Sequence, residues 1–255
     1  MTELESNLAA QILSRGYAAC RMEDLCGDTE LMNSLRDLAE VFVCEERVEK
    51  AERDFHAGGR NESIKPFLVK YQNHQVFNEL HPLYRLGMLP AFKRICDEAC
   101  GVPMRMMSAD LWYLCAKASK RERGYAQQWH RDPEDEQTIK VNLFFRDVDE
   151  QSGPIEYVVG SHRKGSKYAS IGQAKSYAPQ DEADRIPDGD KVRFCCPAGT
   201  VLFTHTAGLH RGGYTQSKGR LNTVWTFVPE SAGIPDKYTL YRYAPQRTTQ
   251  LACAV

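Results

Sequence analysis

The chain has 255 residues, long enough for one large globular domain, and its 26% charged and 42% hydrophobic composition excludes an extensively disordered or fibrous protein. A formal net charge of -1 gives no bulk electrostatic case for nucleic acid, and the short basic stretches at 121–123 and 163–167 read as solvated loops. No run approaches about 18 apolar residues, and no basic segment followed by an apolar run opens the chain, so the expectation is a cytoplasmic protein with neither a membrane nor a nucleic-acid partner.

In chain order, helices come first. Thr2 and Glu5 have capping-box spacing, and Leu4, Leu8 and Ile12 recur every four residues, which predicts an amphipathic helix ending near Gly16. A second helix is predicted from about Asp28, with Leu31, Leu35, Leu38 and Val41 on one side and a charged continuation over 45–54 reaching solvent. Residues 56–66 read as a loop, and Pro90 to Gly101 as a helix bounded by proline at its start and glycine at its end. After Gly101, short apolar or β-rich runs at 104–114, 139–145, 155–159, 192–196, 200–203 and 221–228 are separated by turn formers. The order suggests one domain over 1–255, with a mainly helical support and substrate side over 1–101, and a strand-built barrel or sandwich over 102–230 that carries a polar surface insertion at 173–191. The nine cysteines form no CxxC pair, so reduced thiols are expected rather than a zinc knuckle or a disulfide framework.

The central feature is Trp129-His130-Arg131-Asp132-Pro133. Histidine and aspartate one residue apart point to the same side of an extended backbone, where an imidazole nitrogen and a carboxylate oxygen can approach one cation, while Arg131 points away. A third ligand must come from elsewhere. His210, beside Gly208, Gly212 and Gly213, is the candidate, and His205 competes with it. Two imidazoles and one carboxylate on one face of iron(II) leave three positions open for a chelating co-substrate and oxygen. His56, His74, His81 and His162 have no partner spacing that lifts them above local roles.

Three ordered segments carry a family resemblance: Gln128 to Asp132 with the following strand, Asp149 to His162 with Gly160-Ser161-His162, and Pro197 to Phe203 followed by His210 and Arg220. Over roughly residues 105–229 the chain resembles the phytanoyl-CoA dioxygenase-like branch of the iron(II)/2-oxoglutarate oxygenases, with Val159 where that family usually has proline. The resemblance implies a mainly β fold with flanking helices, built on a double-stranded β-helix, a jelly-roll barrel of the cupin kind. It also implies an Fe(II) centre held by His130, Asp132 and His210, with 2-oxoglutarate and O2 as co-substrates and Arg220 on the distal carboxylate of 2-oxoglutarate. Charge counting agrees with that role. Asp132 and a 2-oxoglutarate dianion outweigh the two charges of iron(II), and an arginine offers a planar two-donor fork to the remaining carboxylate.

Asn142, on the same alternating face as Thr138, Lys140 and Phe144, is the candidate second contact to 2-oxoglutarate, because an amide donates without adding charge. Trp129 either walls the metal pocket or packs outside it; Tyr125, Gln127 and Gln128 lie on the approach to it. The implied reaction is hydroxylation of a C–H bond of a small molecule, since related halogenases carry a small residue in the place of Asp132. Two other classes remain open: a redox-inactive metal-binding barrel, and a non-oxidative metal enzyme. The sequence leaves monomer and homodimer equally open.

Overall fold

Helix α1 (Glu3–Arg15) begins where the Thr2–Glu5 reciprocity demands: Glu5 N donates to Thr2 Oγ1 at 3.2 Å, and Thr2 N to Glu5 Oε2 at 3.0 Å. It ends on Gly16, whose φ of 92° and whose contact with Tyr157, with no room for a Cβ, both require glycine. The computed structural model describes residues 1–57, 67–71, 79–116, 125–171 and 177–234. The 121–123 stretch, His74 and most of the 56–66 loop lie outside the described residues.

Helix α2 (Thr29–Val43), capped by Asp28, turns Leu31 and Leu35 inward with Leu38 packed at the core's edge, as its leucine spacing suggests, but leaves Val41 out. Leu31, Leu35, Ala39 and Phe42 are buried whereas Val41 is 66% exposed, because a stripe at intervals of four, four and three follows the 3.6-residue turn while Phe42 supplies the larger buried area. The expected charged continuation is a separate helix, α3 (Glu46–His56). Val48 and Phe55 are buried on it, and Glu52 accepts bonds from Tyr113 Oη at 2.9 Å and Ala116 N at 3.1 Å. Helices α4 (Pro82–Gly87) and α5 (Pro90–Cys100) follow, each with proline in its first turn.

The strands are β1 (Tyr17–Arg21), β2 (Leu68–Lys70), β3 (Met104–Leu114), β4 (Ile139–Leu143), β5 (Glu156–Val158), β6 (Lys191–Arg193), β7 (Thr200–His205), β8 (His210–Arg211) and β9 (Arg220–Pro229), with a short helix α6 (Gln180–Asp184) between β5 and β6. They form two antiparallel sheets: a six-stranded one ordered β1-β7-β4-β9-β3-β2 and a three-stranded one ordered β6-β5-β8. This corrects the expected jelly-roll barrel. The fold is mixed α/β, and neither sheet closes. The large sheet ends on edge strands β1 and β2, and the small sheet has strands of three, three and two residues.

Alternation along the large sheet sorts its two faces. Ile139, Val141, Phe203, Trp225 and Phe227 share one core with Leu8, Ile12, Leu35, Leu83 and Phe92 of the helices, with Phe92 packed 5.4 Å from Trp225 and 5.6 Å from Phe203. Trp225 Nε1 donates to Leu83 O at 2.8 Å. Burying each such side chain stabilises by about 1.5–3 kcal/mol, which anchors the helical layer to this face. The intervening residues, Lys140, Asn142, Thr204, Asn222 and Val224, line a pocket instead, together with His210 and Arg211 of the small sheet. All described cysteines are free thiols, and no described helix is long and apolar enough to cross a membrane.

Candidate metal centre

Two backbone hydrogen bonds hold the histidines side by side: His130 N donates to His210 O at 2.9 Å and His210 N to His130 O at 3.0 Å. Asp132 N donates to Thr206 O at 3.0 Å, so both residues of the HxD triplet are tied to the strand-turn segment that delivers His210. That segment is positioned by the Gly160-Ser161-His162 turn. Ser161 Oγ donates to Val158 O at 2.7 Å and accepts from Leu209 N at 2.8 Å, immediately before His210. Arg131, pointing away from the pocket as the alternation requires, donates to the carbonyls of Ser161, Tyr168 and Ala207 and so clamps the same turn from behind.

His130, Asp132 and His210 each offer a ligand atom, and these atoms lie within 4.8 Å of one another. Nδ1 of His130 is 2.8 Å from Gln128 O and Nδ1 of His210 is 2.9 Å from Gly208 O. A carbonyl only accepts, so each Nδ1 donates to its carbonyl, the contact that orients a metal-binding imidazole and leaves Nε2 as the nitrogen facing the metal site. Nε2 of His130 stands 3.6 Å from Asp132 Oδ1, and Nε2 of His210 stands 3.5 Å from Asp132 Oδ2. Burial lowers the His130 pKa to about 3, helped by the neighbouring His210 and opposed by Asp132. Burial works against the ionised Asp132, but the Lys140 ammonium beside it outweighs that and holds the carboxyl well below its usual range. A neutral imidazole and an ionised carboxylate are the forms that bind a metal. Asp132 Oδ2 is buried, and the Lys140 ammonium stands 2.7 Å from it without an aligned hydrogen bond, so the oxygen keeps an acceptor site that a metal could take. The donor set therefore fits iron(II).

His205, the competing third ligand, stays out of this cluster. It sits on β7 with its ring 4.9 Å from that of His162, its backbone tied to Gly16 O and Tyr157 Oη, and it does not line the pocket. Trp129 packs outside the pocket with Val158, Tyr168, Ala178, Ala183, Ile186 and Leu209. The described part of the 173–191 insertion thus lies against the metal strand, with Tyr177 bridging His130. Arg211 lines the pocket, but its charge is taken by Glu156 at 2.7 Å and its guanidinium lies 4.5 Å over the Trp129 ring.

The pocket, about 110 Å3, runs from the metal cluster along β4 and β9 to Arg220. Arg220 is 5% exposed and donates to Gly153 O and, at 3.3 Å, to Asn222 Oδ1; among the described residues no carboxylate lies within ion-pair distance of it. Burial lowers its pKa to about 10, which still leaves it charged at neutral pH. Asn142 lies beside it, its Oδ1 accepting from Asn222 Nδ2 at 3.1 Å. Phe67, Leu68, Trp112, Leu114, Ile155 and Val224 form an apolar wall. Three residues escaped the sequence reading: Asn222, two positions from Arg220 on the same strand face; Lys140, whose Nζ stands 2.7 Å from Asp132 Oδ2; and Glu134, 3.5 Å from that same Nζ. The period of two that singled out Asn142 also marks Lys140, but nothing in the sequence reveals its pairing.

The phytanoyl-CoA dioxygenase (PhyH) family profile matches residues 14–221. The chain belongs to that family. Its members form part of the iron(II)/2-oxoglutarate oxygenase superfamily, and the His130–Asp132–His210 cluster resembles the facial triad of that superfamily. No curated protein matches the chain. Among solved structures of the same fold, EctD from S. alaskensis with bound Fe is 15% identical over 95% of this chain and 82% of its own, with a TM-score of 0.60. The epimerase SnoN in complex with Fe3+, alpha ketoglutarate and nogalamycin RO is 15% identical over 95% and 91%, with a TM-score of 0.57. The carbocyclase SnoK from nogalamycin biosynthesis is 20% identical over 90% and 84%, with a TM-score of 0.56.

Proposed function

We propose that this PhyH-family protein is an iron(II)- and 2-oxoglutarate-dependent dioxygenase that hydroxylates an unactivated C–H bond of a small-molecule metabolite and releases succinate and CO2. The observation that carries the reading is the pairing, in one pocket, of a compact His-Asp-His cluster with a buried arginine that has no counter-ion among the described residues. His130, Asp132 and His210 would hold the iron, which with its co-substrates supplies the oxidising chemistry when bound. Their backbone ties fix the donor atoms before any ligand arrives.

Arg220 would receive the distal carboxylate of 2-oxoglutarate in its two-donor fork, and Asn142, whose Oδ1 is already engaged by Asn222, would offer its amide N–H to the same group. The apolar wall around Trp112, Leu114 and Val224 supports a substrate with an apolar face turned toward the metal. Relatives of the same fold include an epimerase and a carbocyclase, so the fate of the substrate rests on the shape of this pocket.

The test is to incubate anaerobically purified, iron(II)-loaded protein with 2-oxoglutarate, oxygen and a metabolite library while measuring succinate and substrate oxidation together. Stoichiometric succinate and hydroxylated product support the reading. Conversion of a substrate without oxygen, or bound iron with no consumption of 2-oxoglutarate by any candidate, overturns it.

A further inference from the structure

We propose that Lys140 is the resident counter-ion of the metal centre: in the metal-free protein its ammonium neutralises Asp132, and a divalent cation binds by displacing it toward Glu134. The inference rests on the reading of His130, Asp132 and His210 as metal ligands. Lys140 projects from β4 into the pocket with its side chain 17% exposed, and its Nζ lies 2.7 Å from Asp132 Oδ2. Its cross-strand partners are Thr204 on β7 and Thr226 on β9, neither of which carries charge, so its anionic neighbours are Asp132 and Glu134.

The oxygen that Lys140 holds is the one facing His210 Nε2 at 3.5 Å, where a shared cation must sit. A dication seated about 2 Å from that oxygen and from the imidazoles would face the ammonium across a few ångströms of poorly solvated pocket, and like charges there repel strongly. The lysine has a second position available. Glu134 Oε1 is 3.5 Å from Nζ, and Glu134 Oε2 is buried with no hydrogen-bond partner. One ammonium thus stands between two carboxylates; a metal that neutralises Asp132 would leave the ammonium to Glu134.

The test measures Mn(II) affinity of the full chain by calorimetry, with thermal unfolding of the metal-free and metal-loaded protein alongside. Lys140→Met removes the competing cation and leaves Asp132 and Glu134 buried without one. It should tighten Mn(II) binding by about tenfold, lower the metal-free Tm and widen the gap between the metal-free and metal-loaded Tm. Glu134→Gln takes away the second position and should weaken Mn(II) binding several-fold, an effect that should vanish in the Lys140→Met background. Unchanged or weaker binding in Lys140→Met, or an equal effect of Glu134→Gln in both backgrounds, overturns the inference. Should Lys140→Met not fold, Glu134→Gln decides alone, and unchanged affinity overturns it. A wild-type protein that binds no Mn(II) overturns the metal-site reading itself and this inference with it, whereas wild-type binding with unresponsive variants overturns only the inference.

Discussion

Replacing Arg220 with methionine separates a binding role from a structural one. Methionine fills nearly the same volume without charge. The substitution forfeits the donations to Gly153 O and Asn222 Oδ1, each worth about 1 kcal/mol net. It also relieves a buried cation whose pKa is depressed by burial from 12.5 to about 10, a desolvation cost of about 3 kcal/mol. These effects oppose each other, so the stability of the metal-loaded protein should change by no more than about 1–2 kcal/mol. Affinity for 2-oxoglutarate should fall far more. Two charge-assisted bonds to its distal carboxylate, at about 1.5–3 kcal/mol each, correspond to a loss of at least about 100-fold in Kd. Calorimetric titration of Mn(II)-loaded protein with 2-oxoglutarate, beside a thermal melt, measures both. A lowered Tm with a 2-oxoglutarate Kd within threefold of wild type would show that Arg220 is only a structural tie.

Asp132→Ala should abolish measurable iron(II) binding, beyond the roughly 10- to 100-fold expected for losing an outer contact. Equilibrium dialysis under anaerobic conditions checks it, and near-normal affinity would sink the ligand assignment. In Gly208→Ala the new Cβ would lie 1.8 Å from Tyr157 Oη, and Tyr157 is fully buried, so a loss of about 1–3 kcal/mol is expected in chemical denaturation. Metal affinity should fall with it, because Gly208 O orients His210 Nδ1. Burial, reinforced by His162, lowers the His205 pKa to about 4 against an ordinary 6.5. The unfolded chain therefore binds a proton first as pH falls, and this contribution to stability is complete above pH 6.5 and lost progressively toward pH 4. His205→Gln should flatten the loss of stability across that window in urea titrations; an unchanged slope would contradict the burial argument.

The His130–Asp132–His210 cluster was legible because much of its geometry is local. An HxD triplet in extended backbone puts two donors on one side whatever surrounds it, and the glycines near His210 announce a tight path for the third. The capping residues Thr2, Glu5, Asp28 and Gly16 likewise fixed helix ends through bonds formed within one turn. What was hidden depends on distant partners. Val41 and Phe42 differ by only one position on α2, and which of them is buried is settled by Tyr71, 5.6 Å from the Phe42 ring. Whether short strands close into a barrel depends on long-range pairing of their edges, and here the large sheet keeps β1 and β2 as separate edges. Strand β8, only two residues long, carries no periodic signal of its own. The pairing of Lys140 with Asp132 joins a strand residue to a loop residue eight positions earlier, a spacing that belongs to no regular element.

The most direct test is an anaerobic crystal structure with iron(II) and 2-oxoglutarate, with the metal located by anomalous scattering at the iron edge. A single peak about 2.0–2.2 Å from His130 Nε2, an Asp132 carboxylate oxygen and His210 Nε2, with the distal carboxylate of 2-oxoglutarate on Arg220, is the expected result. Iron bound at His162 and His205, or a 2-oxoglutarate whose distal carboxylate lies away from Arg220, would contradict the account.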